Sequence, residues 1–464
     1  MKHKLLWSFL AWGLWGGAVL AAPTHPCRIT GFATEVQCGR IQRPLDPTQP
    51  HGTLIDVHFV VIPAAARNKL SDAVLLLAGG PGQSAIDVAA GVMPMLGRLN
   101  NRRDLVFIDQ RGTGRSAPLL CADESKLPLQ ENFNTARQVQ RLRACMDDLR
   151  QLPHGKNGGL RFYTTPIAMQ DMEAVRGHLG VSQWNLVGAS YGTRAALEYM
   201  RQFPSKVRRA VLDGVTPPDM QLPVSTQQDG SAALESLLKA YAVQEVWADV
   251  QKRLPLVVTV QNPSTGKPEK IEITEPILRQ MVRLPLYVPA LASGLPVALR
   301  AAKEGDFTPL VGLAGALGGG QKKSGKMAMG MHFSVVCAED MNPANHTHNA
   351  NTVPPEPLYR AVCQFWERGA VDSAFYTIPP AQSPTLILSG GADPVTPPRH
   401  GERVQKALGA KAQHIVVPAA GHGVMGIGCV RDTVQRFIQA DPTEALPQSA
   451  PCANTIPRPV AFGG

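Results

Sequence analysis

Apolar residues come in short unbroken runs in the first half of the chain, at Ala73–Leu77 and again at Leu105–Ile108, as strands buried on both faces require. Each run ends in a glycine-rich turn: Gly79-Gly80-Pro81-Gly82 after the first, Asp109-Gln110-Arg111-Gly112-Thr113-Gly114-Arg115-Ser116 after the second. Elsewhere the spacing becomes helical. Met169, Met172, Val175 and Leu179 share one face over residues 168–179, and Ala195, Ala196, Tyr199 and Met200 share another. Ahead of these, residues 27–64 form short strands, with Leu54, Val57, Phe59, Val60 and Val61 apolar and Pro44, Pro47 and Gly52 at turns. Alternation of strand and helix up to Leu212 predicts an α/β fold, a mostly parallel central sheet with helices on both faces.

After Asp213-Gly214-Val215 the alternation stops. Residues 218–380 predict a mainly helical cap with helices at 231–247, 275–284 and 295–303. One hairpin is expected within it, strands 256–260 and 270–274 joined through Asn262 to Pro268. Seven glycines between Gly312 and Met331, with three lysines and three methionines, predict a mobile rim. The sheet resumes at Thr385–Leu388, followed by a helix over 401–408 and a strand over 414–417. The division is therefore residues 1–21 as a leader, 22–217 and 381–464 as two parts of one core, and 218–380 as the insertion.

Lys2 and Lys4 precede an apolar run from Leu5 to Leu20 and small residues around Ala21, the pattern of a cleavable secretory signal. No later apolar run is long enough to span a bilayer, so no stable membrane insertion is expected after cleavage. An exported chain with eight cysteines, none spaced C-x-x-C, points to disulfides and not metal ligands. Order along the chain pairs Cys27 with Cys38, Cys121 with Cys145, Cys337 with Cys363 and Cys429 with Cys452. The expected address is periplasmic or extracellular. The formal charge of +10 is not clustered, and no aromatic and basic interleaving appears, which argues against nucleic acid. His346 and His348 lack further ligands nearby in sequence, so no metal or other cofactor is expected.

The chemistry gathers around Asn185-Leu-Val-Gly-Ala-Ser-Tyr-Gly-Thr-Arg194. Gly188, Ser190 and Gly192 have the spacing G-x-S-x-G, between a strand and a helix, of a nucleophile elbow. A serine hydroxyl needs a base, and the base needs a carboxylate to fix its tautomer. Asp393 follows the strand 385–388 and His422 follows the strand 414–417, giving the order serine, acid, histidine with each on a loop after a strand. Asp213, also at a strand end, is the rival acid. An oxyanion would be met by the amide of Tyr191, next to the nucleophile, and by that of Gly80, since Pro81 has no N–H.

Together these segments resemble the α/β-hydrolase serine peptidases that include prolyl aminopeptidase and, more closely, the secreted bacterial tripeptidyl aminopeptidases. The matching stretches are 79–84, 109–116, 188–194, 212–215, 393–397 and 421–423; Ala78 stands where prolyl aminopeptidases carry histidine. The resemblance implies the α/β-hydrolase fold, the triad Ser190, Asp393 and His422, a cap over the site, and attack on peptides from a free amino end.

A free amino terminus is a cation, and an enzyme that requires it must present a carboxylate at a fixed distance from the nucleophile. Glu339 and Asp340, at the end of the insertion, are the expected anchor, with Glu367 in reserve. The expected partners are peptide substrates. The alternative is a carboxylic-ester hydrolase with the same triad, because the triad itself does not select the leaving group.

Overall fold

The computed structural model describes residues 23–124, 127–316, 326–341, 356–441 and 444–462. The leader therefore lies outside the described residues, as do 317–325 of the glycine-rich rim and both His346 and His348. In chain order the strands are β1 (His25–Cys27), β2 (Val36–Pro44), β3 (Leu54–Ile62), β4 (Ala73–Leu77), β5 (Leu105–Ile108), β6 (Trp184–Ala189), β7 (Val207–Asp213), β8 (Leu256–Gln261), β9 (Pro268–Ile273), β10 (Thr385–Gly390) and β11 (Ala412–Val417). Nine of them form one sheet in the order β1-β2-β3-β5-β4-β6-β7-β10-β11. Pairing is antiparallel from β1 to β5 and parallel from β5 to β11.

The unbroken apolar runs have the cause the pattern implied. Along β4, Leu75 and Leu77 pack with Met172, Val175, Ala196 and Val404 in one helical layer. Their neighbours Val74 and Leu76 pack with Ile86, Ala89, Val430 and Val434 in the other. Since successive strand side chains point to opposite faces, a strand covered on both sides has no position left for a polar residue. All the parallel strands run the same way, so the loops at their carboxyl ends, 78–84, 109–116, 189–191, 213–216, 391–397 and 418–423, come to one edge.

The insertion divides in two. Residues 222–311 bury their own core, in which Leu237 and Leu238 of the helix Leu222–Ala240 and Met281 of the helix Glu275–Leu286 meet Val258, Val260, Ile271 and Ile273 of the β8–β9 hairpin. The helices Met329–Glu339 and Pro357–Phe365 instead pack with Leu119, Leu142, Met146, Leu149 and Tyr163, an excursion from the first part of the core. Of the stretch 312–331 expected as a rim, residues 312–316 end the helix Thr308–Ala316 and 329–331 begin the next described one.

The disulfides join the pairs that chain order predicts: Cys27 to Cys38, Cys121 to Cys145, Cys337 to Cys363 and Cys429 to Cys452. The third links the helix Met329–Glu339 to the helix Pro357–Phe365. Closing a loop of that length contributes about 3 kcal/mol by chain entropy. Among the described residues no cysteine is free, no helix is long and apolar enough to cross a membrane, and no group of three or more ligating side chains could hold a metal ion.

Candidate active site

Ser190 sits at φ 55 and ψ −126 between β6 and the helix Tyr191–Gln202. A non-glycine residue there costs about 1–3 kcal/mol and persists only if its surroundings hold it. Three contacts do so: the Ser190 amide donates to the Asp213 carbonyl at 2.9 Å, and the Ser190 carbonyl accepts from the Thr193 amide at 2.8 Å and from Thr193 Oγ1 at 2.6 Å. The flanking glycines are there for clearance. A Cβ on Gly188 would lie 2.6 Å from the Gly192 carbonyl oxygen, and one on Gly192 would overlap the carbonyl of Leu77.

The structure brings Asp393 to His422, with Nδ1 2.8 Å from Oδ2. Asp393 is wholly buried and also accepts from the amides of Val395 and Thr396 at 2.8 and 2.9 Å and from Thr396 Oγ1 at 2.7 Å. These partners set the protonation of the pair. For both groups burial is the largest influence and opposes the charged form, but it is outweighed by the others together: His422 and the Thr396 and Val395 amides hold the acid below its ordinary value, and Asp393 with Asp213 holds the imidazole above its own. Asp213 is also close, yet its carboxylate serves backbone: it accepts from Val424 at 2.9 and 3.0 Å and from Met425 at 2.8 Å, holding the loop that carries His422. From the other side, the Tyr287 carbonyl accepts the His422 amide at 2.9 Å, and the two rings meet edge to face at 5.2 Å.

The Gly79–Gly82 turn lies against the serine, since a Cβ on Gly79 would stand 3.3 Å from Ser190 Cβ. Gly80 and Gly82 adopt φ 114 and 117, a region that favours glycine. The Tyr191 amide is at the first position of its helix, where an N–H has no intrahelical partner. Its side chain is fixed from below by Gln110 Nε2 at 3.0 Å and Thr165 Oγ1 at 2.6 Å. Asp109 ties the two glycine turns together. It accepts from Ser84 Oγ at 2.6 Å and from the Ile86 and Arg115 amides at 3.2 and 3.0 Å.

The acids expected as the anchor lie in the interior. Glu339 and Asp340 are buried and face Arg194, whose Nη1 lies 3.5 Å from Glu339 Oε2 and 2.8 Å from Asp340 Oδ1. Glu339 further accepts from the Thr165 amide at 2.7 Å and from Thr165 Oγ1 at 3.0 Å. With no exposed surface and a guanidinium already between them, they offer no open face to a peptide ammonium. Glu367 is engaged by Arg150 at 2.7 Å. Arg194, in turn, donates through Nη2 to the Pro217 and Met220 carbonyls at 3.3 and 2.6 Å.

Thr396 and Tyr287 were not singled out by the sequence. For Thr396 a signal existed: it stands three residues after Asp393, where an Asp side chain caps its own turn. Tyr287 had none, because its contact with His422 spans 135 positions of chain.

A family model described as alpha/beta hydrolase fold matches residues 72–241, and one described as TAP-like protein matches 356–450, the part that carries Asp393 and His422. The chain belongs to the TAP-like α/β-hydrolases. Among relatives of this TAP-like hydrolase, serine protease Hip1 of Mycobacterium tuberculosis is 24% identical over 92% of this chain and 90% of its own. Tripeptidyl aminopeptidase of Streptomyces coelicolor is 30% identical over 39% and 36%, and carboxylesterase B of M. tuberculosis 26% over 85% and 84%. Among solved structures, an α/β-hydrolase enzyme from a Medee basin deep-sea metagenome library aligns with a TM-score of 0.40 at 17% identity, covering 84% of this chain and 97% of that one. The TAP-like chain is thus a hydrolase of a family that contains serine peptidases.

Proposed function

We propose that the protein is an exported serine exopeptidase that releases residues or short peptides from free peptide N-termini through an acyl-enzyme on Ser190. The observation that carries this reading is the 2.8 Å contact between His422 Nδ1 and Asp393 Oδ2 at the sheet edge where the strained Ser190 turn also lies. With Nδ1 bound to the acid, Nε2 is the nitrogen left to take the Ser190 proton as Oγ attacks the scissile carbonyl. The oxyanion is received by the amides of Gly80 and Tyr191. Collapse transfers the proton from His422 to the departing amine, and water then repeats the sequence on the acyl-enzyme.

Preference for peptides from their amino end is supported by the tripeptidyl aminopeptidase relative and by a cap whose Tyr287 meets the histidine. Export is supported by the four disulfides. The ester-hydrolase alternative is favoured by one observation, the relative named carboxylesterase B.

Side-by-side rates on free peptides, their N-acetyl forms and simple esters decide between the two. The exopeptidase reading expects the acetylated peptides to be cleaved far more slowly; equal cleavage, with esters fastest, would sink it.

A further inference from the structure

The Gly79–Gly82 turn has little to hold it in shape. It belongs to no helix or strand, two of its residues use conformations open to glycine, and its one internal backbone bond, from the Gln83 amide to the Gly79 carbonyl, is long at 3.4 Å. Asp109 holds the residues that follow it, and the rest of its support comes from the end of the insertion. The Ala328 amide donates to the Gly82 carbonyl at 3.0 Å, and His332 Nδ1 lies 3.1 Å from the Pro81 carbonyl. The side chain of Met327 closes over both glycines: a Cβ on Gly80 or Gly82 would stand 3.3 or 2.9 Å from its sulfur.

We infer that His332 is a positioning residue for the oxyanion site, locking the Pro81 carbonyl so that the Gly80 amide keeps its aim; this rests on the assignment of Gly80 as a donor. A carbonyl can only accept, so Nδ1 must carry the hydrogen, which leaves Nε2 as an acceptor. Tyr359 O–H stands 3.1 Å from Nε2 and completes a directional chain, Tyr359 to His332 to Pro81. The charge state of the ring suits this role. Loss of hydration pushes the imidazole down to about 4, against the raising effect of the Pro81 bond, so it stays neutral and keeps one tautomer. Burial likewise raises the Tyr359 phenol, which stays a donor. The Cys337–Cys363 bridge joins the two helices that carry His332 and Tyr359, fixing the spacing of the pair. Preorganised donors contribute to rate only while they are held in place, and a misplacement of about 1 Å costs on the order of 10²-fold.

The test uses the full chain with His332→Asn, His332→Gln and His332→Leu. The asparagine amide falls near the place of Nδ1 and can still donate to Pro81, whereas the glutamine amide falls near Nε2 and faces Tyr359. We expect His332→Leu and His332→Gln to lose about 10²-fold in kcat with KM little changed. His332→Asn should recover most of that loss. A peptide boronate, whose adduct with serine places a charged oxygen in the site, should weaken in parallel with kcat. Equal rates for the Asn and Gln variants, or a loss confined to KM, would overturn the inference, and this comparison stands even if His332→Leu does not fold. Labelling of the parent by a fluorophosphonate separates the two levels of argument. Turnover with Ser190 unlabelled removes the Ser190 assignment and this inference together; a labelled Ser190 with equal Asn and Gln rates removes this inference alone.

Discussion

Asp213 ends one strand and Asp393 lies on the loop after its neighbour, and both hold the His422 loop, but only Asp393 hydrogen-bonds the imidazole; Asp213 spends its carboxylate on the amides of Val424 and Met425. The two acids therefore separate in experiment. Asp393→Asn should lower kcat by about 10⁴-fold with the fold intact, because an amide there no longer stabilises the imidazolium. Asp213→Asn should cost about 1–3 kcal/mol of stability through the weakened amide bonds, with a much smaller loss of rate. Melting curves and kcat measured on both variants check this, and the reverse pattern would exchange the roles.

The second prediction concerns pH. His422 must be neutral to accept the serine proton; burial is the largest influence on it and lowers its value, but the charge and hydrogen bond of Asp393 together with the charge of Asp213 raise it above 6.5. The acid limb of kcat/KM should therefore lie above pH 6.5, activity rising as the imidazole loses its proton. In the residual activity of Asp393→Asn that limb should move to lower pH. A limb unchanged by the substitution would dissociate it from His422.

Thr396 bonds the carboxylate oxygen of Asp393 that also meets His422. Thr396→Val keeps the shape and removes the hydroxyl, and should cost about tenfold in kcat, while Thr396→Ser keeps the hydroxyl and should remain close to the parent. If valine were as active as serine, the hydroxyl would have no part in orienting the acid.

Glu339 and Asp340 give the fourth prediction. Burial pushes Glu339 up to about 7 in spite of Arg194, against 4.5 when solvated. Between those values the folded state binds the extra proton, so this group's contribution to stability is present below about pH 4.5 and is lost as pH rises towards 7. Glu339→Gln should flatten that slope and leave the ratio of free to acetylated peptide cleavage unchanged. Asp340→Asn should cost about 3–5 kcal/mol, since it strips the buried Arg194 of its shortest ionic partner. A folded Glu339→Gln that no longer distinguished the two peptides would return these acids to substrate recognition.

What could be read from the sequence was what depends on neighbours in the chain. Ser190, Asp393 and His422 each follow an apolar run closely enough that strand, turn and residue form one local pattern, and the hairpin in the insertion announced itself through Asn262, Pro263 and Gly266. The disulfides were legible because every bridge is short in sequence. Burial was not legible. Glu339 and Asp340 look like two exposed acids at a helix end until Arg194, 146 positions earlier, is placed against them. The single helix expected over 231–247 is likewise two, Leu222–Ala240 and Gln244–Lys252, parted where Ala242 takes φ 51.

Arg194 also sets a limit on how this architecture can be altered. One guanidinium, on the helix that begins at Ser190, receives the chain as it leaves the core at Pro217 and Met220 and again as it returns at Glu339 and Asp340. Apart from Tyr287 and the stretch 327–332, which touch the catalytic loops, the segment between those two points can change in length and sequence without disturbing them, so substrate range is open to divergence there. The ends are not open to it. A transplanted insertion must bring its own acids and carbonyls to the same charge, and a version of this protein trimmed to its core would leave Arg194, on the helix that follows the nucleophile, without either of its acids.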